Sequence, residues 1–370
     1  MSKYTVFFLV FLLTSCLFSQ KITLKGSGNL RLTQIDYSEL SEWEKGNHKD
    51  ALRAFIHSCN KFAKMAENTS ISGQLTKIKV KDFRDVCDIA SVIKTMNSKQ
   101  AKNFFENWFK PFQVSDRGGN KKGIFTGYYE ASLNGSKTKS AKYKYPIYAK
   151  PQNITSDPYL TREQIENGAL EGKGLELLYV DDKTDLFFMH IQGSGRITLE
   201  NGSEIKVGFA AKNNQPFIAI SSYMADNGMV DPGNMNAATI KEWLKANQER
   251  QDEVMNINTS FIFFHILDHE NVIGAQGVPL TPGHSLAVDN DMIPYGVPIW
   301  VQTHMKDKHK NKTKFADLFI AQDTGSAIKG AVRGDIFFGN GKINEEKAYY
   351  MASSGQYIVL LPNIAVDHIK

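Results

Sequence analysis

Residues 321–339 read AQDTGSAIKGAVRGDIFFG. Short apolar runs are separated here by glycines, and Asp323 and Asp335 each stand at the end of such a run. Runs of β-branched and aromatic residues between Gly, Asn and Asp are typical of strands joined by tight turns. Because this pattern begins after Gly118 and Gly119, we expect most of the chain from there on to form an all-β barrel or sandwich.

Helical stretches flank and interrupt this β-rich part. Apolar residues recur every three or four positions in parts of residues 37–110, which predicts helices that residues 70–81 connect. The predicted helices are Ala51–Met65, Ala101–Phe109, Phe217–Asn227 and Ala237–Asn247. The predicted strands are Ile124–Tyr129, Leu175–Val180, Leu186–Ile191, Ile205–Ala210, Phe261–Phe264, Pro298–Gln302, Leu318–Gln322, Asp335–Phe338 and Tyr357–Leu361. The basic run Lys306–Lys314 falls between two strands and predicts a solvated hairpin loop, with contact to anionic substrate groups as the alternative.

Length and composition favour a folded protein of two domains. The 370 residues exceed what one hydrophobic core usually organises. With 42% hydrophobic and 22% charged residues, the chain is neither disordered nor a polytopic membrane protein. The net charge of +5 is too small for a dedicated nucleic-acid binder. We therefore expect no nucleic-acid partner. We also expect the protein to be a monomer.

The first twenty residues, MSKYTVFFLVFLLTSCLFSQ, predict a signal for export. The apolar stretch Tyr4–Leu13 follows Lys3 and is shorter than the ~20 residues of a membrane-spanning helix. Residues 13–16, LTSC, resemble a lipobox, in which Cys16 would carry the lipid; ordinary cleavage near Ser19 or Gln20 is the alternative. We expect an exported protein that is either lipid-anchored or free in the periplasm.

No metal or other cofactor is predicted. His265 and His269 are four residues apart, but HILDH lacks the Glu of the zinc motif H-E-x-x-H. No C-x-x-C pair indicates structural zinc. Besides Cys16, the chain has only Cys59 and Cys87, which allow at most one disulfide.

Three aspartates of residues 277–339 are the candidates for chemistry. Asp289, Asp323 and Asp335 lie at ends of apolar runs beside glycines, where burial raises the pKa of a carboxyl group. A raised pKa is what a general acid needs near neutral pH. The alternative is that Asp289 and Asp323 only cap turns. Asp323-Thr324-Gly325 is also the tripeptide of aspartic proteases, but those need a second copy, which this chain lacks.

Several further stretches combine aromatic and polar residues that suit a sugar-binding groove, although single aromatics are more often core residues. In order along the chain these and related stretches are FTGYYE (125–130), YPIYAKP (145–151), LTREQIENGAL (160–170), FFMHIQGSGRITLENG (187–202), VGFAAKNNQPF (207–217), GVPLTPGHSLAVDNDMIPYGVPIW (277–300) and AQDTGSAIKGAVRGDIFFG (321–339). Together they resemble the family of membrane-bound lytic murein transglycosylase A with its C-terminal three-aspartate domain. The resemblance runs from about Ala51 to the end.

The resemblance implies an outer-membrane lipoprotein that cleaves the β-1,4 bond between N-acetylmuramic acid and N-acetylglucosamine and leaves a 1,6-anhydromuramoyl end. It implies a mainly β fold with helices: a double-psi β-barrel domain, a smaller inserted β-barrel domain, and a groove between them that holds a peptidoglycan glycan strand. The expected segments are 1–20 (signal), 21–129 with 258–370 (catalytic domain) and 130–257 (insertion).

The resemblance also assigns residues by position. Asp335 resembles the catalytic acid and base, Asp323 the partner that orients it or tunes its pKa, and Asp289 the third member. The residues that fall in groove motifs are Thr126, Tyr128, Tyr129, Thr161, Gln192, Gly193, Ser194 and Lys212. The chain departs from the family at His265, where a Lys or Arg is expected, and at Asn214, where a Gly is usual.

A single carboxyl group suffices for this reaction, because the sugar's own C6 hydroxyl replaces the water that hydrolytic glycosidases activate with a second carboxylate. Two alternatives stay open. One is a glycan-binding lipoprotein without activity. The other is a hydrolytic muramidase, for which Glu130 is the nearest second carboxylate.

Overall fold

The computed structural model describes residues 22–26, 28–71, 74–75, 77–93, 97–155, 157–268 and 271–369. The predicted signal segment with Cys16, and His269, lie outside the described residues. Helices and strands contain about equal numbers of the described residues. The fold is therefore mixed α/β with one large mixed sheet, and the prediction of a mainly β chain with helices is confirmed only in part, because helices are as extensive as strands.

The elements follow in chain order. The strands are β1 (Thr23–Lys25), β2 (Leu30–Gln34), β3 (Phe109–Asp116), β4 (Gly123–Ser136), β5 (Tyr145–Tyr148), β6 (Glu176–Val180), β7 (Ser194–Leu199), β8 (Glu204–Lys212), β9 (Ile262–Leu267), β10 (Ser285–Val288), β11 (Pro298–Lys306), β12 (Lys312–Asp323), β13 (Arg333–Asn340) and β14 (Ala352–Pro362). The helices are α1 (His48–Phe62), α2 (Arg84–Val92), α3 (Ser98–Trp108), α4 (Arg162–Gln164), α5 (Lys183–Gln192), α6 (Ile220–Asp226), α7 (Ala237–Ala246), α8 (Gln251–Met255), α9 (Lys342–Tyr350) and α10 (Asn363–Ile369). Short 3-10 turns lie at Tyr37–Glu39, Trp43–Lys45, Val80–Phe83 and Pro232–Asn234, and a π-turn at Ile165–Ala169.

Six strands close into a first ring. Around it, β4 pairs with β13, β13 with β10, β10 with β12, β12 with β11, β11 with β14, and β14 with β4 again. The pairs β4–β13 and β10–β12 are parallel, and the others are antiparallel. Buried side chains such as Phe125, Leu286, Ile336 and Tyr357 belong to its core. A closed ring leaves no unpaired edge between these strands.

The second half of β4 belongs to a second ring. Up to Glu130 the strand pairs with β13, and from Ala131 onwards it pairs with β7. From β7 the pairing continues through β8 and β9, then through a bridge between Phe264 and Ala149, and returns through β5 and β6 to the end of β4. One long strand therefore links the two rings.

The predicted strand at residues 186–191 is wrong, because these residues belong to helix α5. An apolar run of this length fits a buried strand or a buried helix equally well. The residues at the two ends of this segment favour the helix. The Asp182 side chain accepts a hydrogen bond from the amide of Asp185, and Gly193 ends the helix at φ +81°, where glycine is favoured.

Other predicted elements are confirmed. The periodic residues 51–65 lie largely in α1. The run Lys306–Lys314 forms the tip of the β11–β12 hairpin: residues 307–311 are the turn, and Lys306 and Lys312 are the last register partners. Cys59 of α1 and Cys87 of α2 form a disulfide, which joins the two helices beside the first ring.

Candidate active site

Asp335 lies near the start of β13, in the first ring. Its register partners are Thr126 on β4 and Ala287 on β10. The hydroxyl of Thr126 donates a hydrogen bond of 2.5 Å to Oδ1 of Asp335. The site therefore rests on contacts between residues that lie about two hundred positions apart in the sequence.

Arg333 completes this arrangement from the same strand. Its Nη2 donates to the Thr126 hydroxyl oxygen at 2.9 Å, and its Nη1 donates to the carbonyls of Ile124 and Gly334. Burial lowers the pKa of the Arg333 guanidinium, while the neighbouring Asp335 raises it. The sequence analysis did not single out Arg333. The available signal was a cation two residues before Asp335, which in a strand lies on the same face.

Asp323 ends β12, where burial raises the pKa of its carboxyl group. Three donors oppose that effect: the Tyr128 hydroxyl at 2.7 Å, and the amides of Ala275 and Thr324 at 2.9 Å each. The pKa of Tyr128 is raised well above its ordinary value by its own burial and by the Asp323 charge. Tyr128 therefore stays a neutral hydrogen-bond donor to Asp323.

Asp323 and Asp335 flank one strand. Both are register partners of Ala287, Asp323 on the parallel side of β10 and Asp335 on the antiparallel side. Burial raises the pKa of Asp335, and the charge of Asp323 raises it further, whereas Arg333 and the Thr126 hydroxyl oppose the rise. A carboxyl group with a raised pKa can carry a proton at a higher pH and donate it.

Asp289 is held away from this pair. Its side chain is 4% exposed, and Oδ2 accepts a hydrogen bond of 2.8 Å from the amide of Gly330. Lys329 Nζ lies 3.3 Å from Oδ1. These contacts fix the turn that leads into β13. Asp289 therefore positions the chain beside Asp335 and makes no contact with it among the described residues.

The predicted groove residues divide into two groups. Thr126 and Tyr128 contact the aspartates, as described above, and Gln192 accepts a hydrogen bond of 3.0 Å from the amide of Tyr129 on the same strand. Gly193 and Ser194 follow Gln192 at the end of α5 and the start of β7, and Ser194 is buried.

The second group, Tyr129, Thr161 and Lys212, has its side chains away from the two aspartates. Tyr129 is 2% exposed, and its hydroxyl donates to Oε1 of Glu345 at 3.3 Å and lies 2.9 Å from the hydroxyl of Tyr349, both on α9. Thr161 accepts a hydrogen bond from the amide of Gln164 and caps α4, and Lys212 is exposed at the end of β8. None of these side chains contacts Asp335 or Asp323 in the described part of the chain.

The structure also describes the two positions at which the sequence departs from the family, Asn214 and His265. Asn214 adopts φ +56°, in the left-handed region that favours glycine and that Asn tolerates, so the turn forms in spite of the substitution. His265 is exposed on β9 opposite Gly208. Residues 269–270, which include the second histidine of HILDH, are not described.

A buried aspartate with raised pKa, held by a hydroxyl and a cation beside a second carboxyl group, is the arrangement of an enzyme that uses a carboxyl group as an acid. Comparison with known proteins gives the family. Residues 124–265 match the MltA specific insert domain, and residues 284–361 match the 3D domain. The chain is 34% identical to a membrane-bound lytic murein transglycosylase A homolog of Buchnera aphidicola, over 70% of this chain and 73% of that protein. It belongs to the family of membrane-bound lytic murein transglycosylase A.

Other relatives agree with this assignment. The membrane-bound lytic murein transglycosylase A of Vibrio cholerae is 34% identical over 57% of this chain, and the match spans 59% of that enzyme's length. The crystal structure of a membrane-bound lytic murein transglycosylase from Agrobacterium tumefaciens superposes with a TM-score of 0.81 at 29% identity, over 91% of this chain and 99% of that one. Escherichia coli MltA with bound chitohexaose superposes with a TM-score of 0.71 at 25% identity, over 85% and 90%.

The relatives are named membrane-bound. Within the described ranges, no helix combines the length and apolar character needed to cross a bilayer.

Proposed function

We propose that this protein is a lytic transglycosylase that cleaves the β-1,4 bond between N-acetylmuramic acid and N-acetylglucosamine in peptidoglycan and leaves a 1,6-anhydromuramoyl end. The observation that carries the proposal is the buried Asp335 carboxyl group, whose pKa is raised and whose Oδ1 is held by Thr126. The relatives' shared name and the chitohexaose bound by the Escherichia coli protein support a glycan as substrate.

Asp335 starts protonated and donates its proton to the glycosidic oxygen as the bond between that oxygen and C1 breaks. The Asp335 carboxylate then accepts the proton of the C6 hydroxyl, while O6 forms the new bond to C1. The carboxyl group ends as it began, so one residue acts as acid and then as base. The C6 hydroxyl is tethered to the same ring, and proximity therefore takes the place of an activated water. Dipoles of the groove stabilise the positive charge that develops in between.

A hydrolytic muramidase is less consistent with the site. A hydrolase needs a second carboxylate that is free to activate water or attack C1. Glu130 is 3% exposed, and its Oε2 accepts a hydrogen bond of 2.7 Å from Arg196 Nε. A carboxylate held in this ion pair is not available to a water at the sugar.

The finer assignment of the fold is part of the proposal. We assign the first ring to a double-psi β-barrel, predicted at residues 21–129 and 258–370, and the second ring to the insertion predicted at residues 130–257. Since β9 (Ile262–Leu267) belongs to the second ring, the insertion extends past its predicted end to about residue 267. The change of partner along β4 between Glu130 and Ala131 supports the first boundary. The glycan strand would lie where the rings meet. Export, with or without lipid on Cys16 at the periplasmic face of the outer membrane, is proposed from residues 1–20.

Digestion of purified murein sacculi, with the products identified by mass, tests the proposal. Wild type is expected to release anhydro-ended muropeptides, and Asp335→Asn to release none. Water-added ends would support a hydrolase instead. Tight binding of sacculi without release by wild type would support a glycan-binding protein.

A further inference from the structure

A basic groove of about 570 Å³ lies beside the β11–β12 hairpin and the start of β14. Its basic side chains are Lys122, His304, Lys306, Lys312 and Lys314. The acidic residue among those that line it, Glu42, forms an ion pair of 2.6 Å with Lys45 outside the groove and also interacts with Lys314 inside it. Positive charge therefore dominates the groove.

Strand register concentrates this charge. Lys306 is the direct partner of Lys312, and His304 is the direct partner of Lys314, on two antiparallel strands. Like charges directly opposite each other destabilise a strand pair. The Lys306–Lys312 pair thus makes the hairpin less stable than a pair of opposite charges would. A bound anion offsets this repulsion.

The groove is close to Asp335. Lys306 Nζ donates a hydrogen bond of 2.5 Å to the carbonyl of Ala352, and Ala352 is the register partner of Thr126, which is the partner of Asp335. Neighbouring strands are about 4.8 Å apart, so the backbone at Ala352 is about 10 Å from that at Asp335. An extended peptide of four residues spans about 13 Å.

We propose that this basic groove binds the acidic peptide stem of the glycan strand whose sugar lies at Asp335. The proposal rests on the function proposed above, because that substrate carries peptide stems with free carboxylates. The carboxylates of an extended peptide are opposite in charge to the lysines along the hairpin. The length of the peptide is also sufficient to extend from Asp335 to the groove. The groove then adds affinity for stem-bearing strands and none for bare glycan.

The test compares two substrates and one free ligand. The substrates are glycan strands with tetrapeptide stems and the same strands after the stems are removed by an amidase. The ligand is the tetrapeptide L-Ala-γ-D-Glu-meso-diaminopimelate-D-Ala, titrated calorimetrically against the full mature protein. The groove variant is Lys312→Gln/Lys314→Gln. The matched control, Lys64→Gln/Lys99→Gln, removes the same charge at exposed positions outside the groove.

Wild type and the control are expected to prefer stem-bearing strands by about tenfold in kcat/KM, and the groove variant to lose most of this preference. Binding of the free tetrapeptide is expected to weaken with salt and to fall about tenfold in the groove variant. An equal preference in groove variant and control would overturn the proposal. A different result would assign the groove to a membrane surface instead. In that case wild type and control bind anionic lipid vesicles, the groove variant does not, and wild type shows no preference between the two substrates.

The two readouts separate the two proposals. If wild type cleaves neither substrate but binds the tetrapeptide through the groove, the proposed function fails and the groove assignment stands. If it cleaves both substrates equally and does not bind the tetrapeptide, the groove assignment fails and the proposed function stands.

Discussion

Thr126 and Asp335 are register partners on parallel strands, and the Thr126 hydroxyl donates to Oδ1 of Asp335 at 2.5 Å. Arg333 donates to the same hydroxyl oxygen, which directs the hydroxyl proton toward Asp335. Because Oδ1 is occupied as an acceptor, the proton of the neutral carboxyl group lies on Oδ2. In the proposed mechanism, the register between β4 and β13 thus leaves Oδ2 as the oxygen that donates to the glycosidic bond.

The first prediction concerns Asp335→Asn, which removes the transferable proton and keeps the side-chain shape. Turnover is expected to fall by at least about a thousandfold, in the range that general acid and base catalysis contributes. Release of anhydro-ended muropeptides measures turnover, and binding of sacculi by sedimentation measures affinity. Binding is expected to be retained, and substantial residual turnover would show that another group is the acid.

The same variant has a stability readout that separates lost chemistry from misfolding. Burial raises the folded-state pKa of Asp335, so its contribution to stability is present at low pH and is lost as the pH rises through that pKa. At neutral pH this carboxyl group ionises more easily in the unfolded chain than in the fold, which destabilises the fold, and an uncharged Asn has no such effect. The melting temperature of Asp335→Asn at pH 7 is expected to equal or exceed that of wild type. A lower value would attribute lost activity to misfolding.

The second prediction concerns Asp323→Asn. The charge of Asp323 raises the pKa of Asp335, and its removal lowers that pKa. Because the general acid must be protonated, the alkaline limb of the pH–rate profile is expected to move to lower pH. Asn retains an oxygen that accepts from the amides of Ala275 and Thr324. An alkaline limb that stays at the wild-type pH would mean that Asp323 does not tune Asp335.

The third prediction concerns Thr126→Val, which is expected to move the alkaline limb of the pH–rate profile to higher pH. The Thr126 hydroxyl stabilises the Asp335 carboxylate, so Thr126→Val raises the pKa of Asp335. A hydrogen bond to a charged group contributes about 1.5–3 kcal/mol, which corresponds to a shift of about one pH unit or more. Thr126→Ser keeps the hydroxyl and is expected to restore the wild-type profile. Equal profiles for the Val and Ser variants would remove Thr126 from the mechanism.

The spacing of apolar residues predicted individual helices and strands, since this spacing depends on residues close together in the sequence. The apolar spacing of Ala51, Phe55, Cys59 and Phe62 is that of a helix, and these residues lie in α1. The strands that carry Asp323 and Asp335 were predicted from the apolar runs beside them. Helix α5 was missed because Leu186–Met189 form a continuous apolar run without helical spacing, and all four are buried. Only its two ends, at Asp182 and Gly193, carry helix signals.

The closure of the rings could not be read from the sequence. β4 pairs with β13 and with β14, which lie about two hundred residues further along the chain. The periodicity of a sequence does not predict pairing between strands so far apart. For the same reason the sequence alone did not reveal the role of Arg333. Its function depends on Thr126, which only the register brings within 2.9 Å.

The fourth prediction concerns Asp289→Ala, which removes the acceptor of the Gly330 amide. The turn before β13 is expected to loosen, with faster hydrogen exchange over residues 324–332 and turnover lower by about tenfold or more. Asp289 does not contribute to the raised pKa of Asp335, so the pH–rate profile is expected to keep its wild-type shape. A displaced alkaline limb would give Asp289 an electrostatic part in the reaction.

The fifth prediction concerns the disulfide between Cys59 and Cys87, which are separated by 28 residues. A cross-link over a loop of this length stabilises the folded state by about 3 kcal/mol, mainly by restricting the unfolded chain. The variant Cys59→Ala/Cys87→Ala is expected to melt about 6–12 °C lower than wild type, because each kcal/mol corresponds to about 2–4 °C in a domain of about 150–250 residues. Since α1 and α2 do not touch Asp335, the pH–rate profile below the melting temperature should be that of wild type. Treatment of wild type with a reductant is the matched measurement, and an unchanged melting temperature in both would mean that the cross-link does not stabilise the fold.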